Sequence, residues 1–75
     1  MNSVSRINIH IVNWKKFYSI LDIIKTDYKM ESLDYNHLDH MIYIKCGKET
    51  KSKLIDDLGL VKDHTRRCGY ILSQY

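Results

Sequence analysis

His37, His40, Cys46, His64 and Cys68 are the residues of this chain that come nearest to metal or nucleophile chemistry. Three residues separate His64 from Cys68, and two separate His37 from His40, spacings that zinc sites use. No CxxC pair accompanies them, and both cysteines fall inside predicted strands. The expectation is therefore no metal, and two reduced thiols packing as small apolar groups. The segment CGKET resembles a phosphate loop only in its Gly47-Lys48 pair. Glu49 follows the lysine where Ser or Thr is required, and Ile42 stands where the first glycine belongs. Asp56 and Asp57 are adjacent, so on a helix they diverge by about 100° and form no paired-carboxylate site. Without a nucleophile–base pair, a glycine loop or clustered carboxylates, the sequence predicts a protein that is not an enzyme and needs no cofactor.

Charge is the next chemical signal. Residues 1–40 carry five basic and five acidic side chains, while residues 41–75 carry seven basic and four acidic, so the formal net charge of +3 lies in the second part. An uneven positive surface steers polyanions. Lys15 and Lys16 fall in the first turn of a predicted helix, where the macrodipole is already positive. Each cation there costs about 0.3–1 kcal/mol, which a bound anion would offset. Arg66 and Arg67 precede the last predicted strand. In a ferredoxin-like order that strand starts at the same end of the sheet as Lys15 and Lys16, and the four side chains are expected to converge. In a parallel alternative, Lys48 and Lys51 take the place of the arginines.

A second candidate surface is the polar face of the sheet. Asn8 and His10 on the first strand and Tyr43 and Lys45 on the middle strand are expected side by side, with Tyr75 nearby. An open sheet that shows aromatics and bases can stack unpaired bases. The segment RRCGYILS does not place the chain among RNA-recognition motifs. Arg67 replaces the glycine of their octamer, and Cys68 and Ser73 replace two of its aromatics. The same face would also suit a protein interface or the seam of a homodimer.

These side chains have to be positioned by a short chain. Its 75 residues make one domain, and a domain this small buries only about 60% of the surface its unfolded chain exposes. Residues 6–12 alternate, with Ile7, Ile9 and Ile11 on one side. Asn13 stands as an N-cap before a helix over 14–29, whose stripe is Trp14, Phe17, Leu21, Ile24 and Tyr28, widened by Ile20 and Ile23. Residues 30–35 read as a short edge strand or as loop. Residues 40–46 form a strand with Ile42, Ile44 and Cys46 on one face. A second helix over 49–58 buries Leu54, Ile55 and Leu58 and ends at Gly59, with Leu60 and Val61 packing beneath it. Residues 68–75 close the chain as a strand.

The expected fold is an α+β two-layer sandwich with two helices on one face of a three- or four-stranded sheet. Its order is ferredoxin-like βαββαβ if 30–35 is a strand and βαβαβ otherwise. The ten-residue connection that a loop reading would leave favours the strand. The longest apolar stretch falls short of a membrane span, and the N-terminus lacks a signal-peptide pattern, so a cytoplasmic location is expected. Alanine is absent and Lys, Ile and Tyr abound, as in AT-rich phage and mobile-element genes. The functional expectation is a small binding module for nucleic acid, using Lys15, Lys16, Arg66, Arg67, His10, Tyr43 and Lys45. The alternative is a small regulatory or inhibitory protein that docks on a protein target.

Overall fold

Alternating isoleucines need a second layer to cover them, and two helices supply it. The computed structural model describes residues 4–73. The elements are β1 (Ser5–Ile11), α1 (Phe17–Asp27), β2 (Ser32–Asn36), β3 (Met41–Cys46), α2 (Lys48–Leu58), β4 (Val61–Lys62) and β5 (Gly69–Leu72). A 3-10 turn, Trp14–Lys16, leads into α1. The five strands form one mixed sheet in the order β2-β3-β1-β5-β4. β1 is antiparallel to β3 and parallel to β5, while β2–β3 and β4–β5 pair antiparallel. Phe17, Ile20, Leu21 and Ile24 of α1 and Leu54 and Leu58 of α2 join Ile7, Ile9, Ile11, Ile42, Ile44, Cys46 and Leu72 in one core. Both helices therefore lie on the same face of the sheet, and among the described residues no helix covers the other face.

The chain is a small α+β domain as expected, and residues 32–36 are a strand, which removes the βαβαβ alternative. The topology departs from the ferredoxin-like order in strand count and in the direction of the last strand. After α2 the chain enters the sheet as the two-residue β4, reverses, and returns as β5 between β4 and β1. The reversal has a local cause in Asp63. Its carboxylate accepts from the Thr65 amide at 3.0 Å and the Thr65 hydroxyl at 2.6 Å, and its carbonyl accepts from the Arg66 amide at 3.3 Å. Such a side-chain-closed turn substitutes for a backbone turn. A parallel β1–β5 pair is the result, where the expected order makes the first and last strands antiparallel.

The helix starts also differ from the reading of the sequence. Asn13 makes no side-chain cap; its carbonyl accepts from the Lys16 amide at 3.0 Å and closes the 3-10 turn. Trp14 is 60% exposed and not part of the core stripe, and Ile23 is exposed as well. The sheet row nearest this end is Ile11 beside Leu72, so Trp14 projects past the surface that would cover it. α2 ends as expected: Gly59 is left-handed at φ 62°, and the Leu60 amide donates to the Ile55 carbonyl at 3.0 Å. Leu60 is buried there, whereas Val61 is exposed on β4. Tyr70 and Leu72 of β5 turn toward the helices, since they pair with Ile9 and Ile11. Tyr75 lies outside the described residues.

Candidate nucleic-acid interface

Strand register sets the outer face row by row. At one end Ser32, Lys45 and Arg6 pair across β2, β3 and β1. The next outward row is Asp34, Tyr43, Asn8 and Gly69, and the third is Asn36, Met41, His10, Ile71 and Val61. Directly paired residues put their side chains on the same side of a sheet. Asn8, His10, Tyr43 and Lys45 are thus neighbours, as the alternation predicts. Arg6, Ser32 and Asp34 join them, residues that the sequence reading passed over. Arg6, Asn8, Ser32, Asp34, Tyr43 and Lys45 line a shallow depression of about 230 Å³.

Two features give this depression chemical character. Arg6 sits directly opposite Lys45, a like-charged cross-strand pair that is destabilising by itself and is relieved by an anion. Among the described residues the ion pair formed is Arg66 with Asp63, at 3.8 Å; neither Arg6 nor Lys45 forms one, although Asp34 shares the depression with them. Above them Tyr43 presents its ring at 38% exposure, between Asn8 and Asp34.

The β4–β5 turn folds over the same face. A Cβ on Gly69 would meet the Cβ of Arg66 at 2.7 Å, so glycine is what lets the turn lie against β5. Arg66 Nη1 donates to the Met41 sulfur at 3.4 Å, and Met41 is buried to 2% although it points away from the helices. Asn8 Nδ2 donates to the Arg67 carbonyl at 3.5 Å. Hydrogen bonds from the Thr65 hydroxyl and amide hold the Asp63 carboxyl below the usual carboxylate range, aided by the charges of Arg66 and His10. His10 thus belongs to the same neighbourhood as this turn.

The expected convergence of Lys15 and Lys16 with Arg66 and Arg67 does not occur. β5 runs parallel to β1 and begins beside Asn8, whereas Lys15 and Lys16 follow the opposite end of β1. Lys48 and Lys51 do not join them either, because α2 starts just after Cys46, which pairs with Ser5 at the beginning of β1. The positive charge is divided. Arg6, Lys45, Lys48 and Arg67 lie toward the start of β1, and Lys15 and Lys16 lie past its end. Lys15 and Lys16 occupy the 3-10 turn before α1, so they are not in the first turn of an α-helix.

Immediately after Lys15 and Lys16 in the chain, the start of α1 joins an aromatic cluster. Phe17 contacts Tyr18 edge-on at 5.3 Å between centroids, Tyr35 at 6.1 Å and His40 at 6.2 Å. Trp14, Phe17, Tyr18, His37, Leu38 and His40 line a cleft of about 320 Å³. Leu38 is 79% exposed at the tip of the β2–β3 loop. That loop is held by Asn36, whose side-chain carbonyl accepts from the Leu38 amide at 3.0 Å and whose amide donates to Asp39 at 3.1 Å.

The cysteines flank β1 on β3 and before β5, Cys46 buried and Cys68 half-buried, and both are free. Burial pushes the Cys46 thiol up from its ordinary value, partly offset by the charge of Lys51. No cluster of His, Cys, Asp and Glu with metal-binding geometry occurs among the described residues. No helix among them is long and apolar enough to cross a membrane. No family model, curated protein or solved structure matches the chain.

Proposed function

We propose that the protein is a small, non-catalytic binding module that takes single-stranded nucleic acid on the outer face of its sheet. The observation that carries this reading is the opposed pair Arg6–Lys45 directly beside the exposed Tyr43 ring. Two cations that form no ion pair offer a phosphate charge-assisted hydrogen bonds, and the aromatic face offers a base a stacking platform. Asn8 supplies its remaining N–H donor and its carbonyl acceptor to a base edge, and Asp34 accepts from an exocyclic amine. Arg66 and Arg67 extend the positive surface along the strand's path. Both depression and rim are shallow, which suits a splayed single strand better than a duplex. A cytoplasmic location accords with this reading.

Fluorescence anisotropy with a labelled oligothymidylate at low salt tests it. Binding should weaken as salt rises. Replacing Arg6 and Lys45 with Gln should flatten the slope of log affinity against log salt by about 0.7 for each phosphate that is no longer neutralised. Tyr43→Ala should cost about 1–3 kcal/mol of affinity. Each of these positions is exposed, so the fold should be retained. A parent protein that binds no oligonucleotide at tens of micromolar removes the proposal.

A further inference from the structure

We propose that the cleft at the Trp14 end is a second subsite, in which an unpaired nucleobase stacks on the Trp14 indole while its flanking phosphates meet Lys15 and Lys16. The partner class rests on the reading of the outer face, but the cleft is a separate surface with its own observations. Among the described residues Trp14, Tyr18 and Leu38 are three of the most exposed large apolar side chains, and they are gathered at one place. Exposed apolar groups that cluster rather than scatter mark a contact surface. The sheet stops at the Ile11–Leu72 row, so no paired strand row lies beyond it to cover Trp14, while Tyr18 meets Tyr35 of β2 edge-on at 6.2 Å and keeps its other side in solvent.

The surrounding charge selects the occupant. Lys15 stands 5.8 Å from the Trp14 ring centroid, and Lys25 stands 5.7 Å from that of Tyr35. Among the described residues no carboxylate lines the cleft, and Lys15 and Lys16 have no ion-pair partner. The acid of the adjoining loop, Asp39, is engaged by the Asn36 amide at 3.1 Å. Aromatic walls with unneutralised cations beside them complement a ligand that is flat, apolar on its faces and anionic along its backbone. A nucleotide strand has all three properties. The ring nitrogens of His37 and His40 in the wall can donate to or accept from a base edge.

Trp14 is the only tryptophan, so its emission reports on the cleft directly. Titrating the intact protein with an unlabelled oligothymidylate should quench that emission saturably, with the midpoint found by anisotropy. Trp14→Ala should weaken anisotropy binding roughly 5- to 150-fold, the worth of one stacked base. Leu38→Glu, at a position 79% exposed, should abolish the quench while leaving the thermal melt unchanged. Binding by anisotropy with unchanged Trp14 emission, and with Trp14→Ala binding as the parent does, overturns the subsite and leaves the outer-face reading standing. A quench that survives Arg6→Gln, Lys45→Gln and Tyr43→Ala combined supports the cleft and counts against the outer face. Absence of both signals overturns both. Trp14 emission that shifts with protein concentration alone, together with a dimer in sedimentation, makes the cleft a self-interface and overturns the proposal.

Discussion

The two faces of the sheet use the same strands to opposite ends. Toward the helices, Ile7, Ile9, Ile11, Ile42, Ile44 and Cys46 are all within 2% of complete burial. On the outer face their immediate sequence neighbours Arg6, Asn8, His10, Tyr43 and Lys45 remain wholly or partly in water. Met41 is the exception, buried on the exposed side because Arg66 lies across it. The difference teaches that a strand's alternation assigns each residue to a face, whereas a residue's exposure depends on what crosses that face. The turn before β5 crosses the outer face at one corner and leaves the Arg6–Tyr43 region open.

The largest expected effect tests the helix-covered face. Ile9→Ala or Leu54→Ala should destabilise the domain by about 2–5 kcal/mol, while Lys45→Gln should change stability by less than about 0.5 kcal/mol. Chemical denaturation that ranked these the other way would break the contrast between the faces. Gly69→Ala comes next, at roughly 1–3 kcal/mol, because the added Cβ meets Arg66 at 2.7 Å. A melt unchanged by that substitution would show that the turn does not lie against β5. Arg66→Ala should cost about 1 kcal/mol or less, since the arginine end of its ion pair is exposed, the 3.8 Å contact is long and its hydrogen bond to Met41 is weak. Raised oxidation of Met41 by peroxide in that variant would confirm that Arg66 is its cover.

The smallest expected effects are in pH dependence, and they take opposite signs on the two faces. Asp63, in the outer turn, has its carboxyl held low in the folded state. Its contribution is present above the ordinary aspartate value of about 3.9 and is lost as pH falls through the lowered folded value. Cys46, on the covered face, has its thiol pushed up. Its contribution is present below the ordinary thiol value of about 8.5 and is lost as pH rises toward the folded value. Melts across acid and alkaline ranges should flatten on the acid side in Asp63→Asn and on the alkaline side in Cys46→Val. Parallel curves for parent and variants would remove either assignment.

Much of the fold is legible along the chain, because period-two and helical spacing are local consequences of backbone geometry. Ile7, Ile9, Ile11, Ile42, Ile44 and Cys46 announce one buried face, Phe17, Ile20, Leu21 and Ile24 announce the helix stripe, and Gly59 announces the end of α2. The side-by-side placement of Asn8, His10, Tyr43 and Lys45 follows from the same alternation once β1 and β3 are neighbours. Arg6 was available by identical logic, one pleat before Asn8, and only its position at the margin of the alternating run hid it. Trp14 leaves the helix stripe for a different reason. Its spacing to Phe17 fits an α-helix, but a 3-10 turn and the end of the sheet set it at the rim of the core, 60% exposed.

Strand direction lay beyond local pattern. Whether the chain enters the sheet once or twice after α2 depends on a two-residue strand too short to show a period, and on a turn closed by Asp63 and Thr65. That one reversal makes β5 parallel to β1 and carries Arg66 and Arg67 away from the end where Lys15 and Lys16 stand. It also buries Met41. The sequence by itself determined which residues face the helices and which face away, since side-chain alternation is built into every extended backbone. Tertiary structure alone decided which charges meet, because that depends on the order and direction of strands distant in the chain, settled by a loop-closing turn and by what the core could cover.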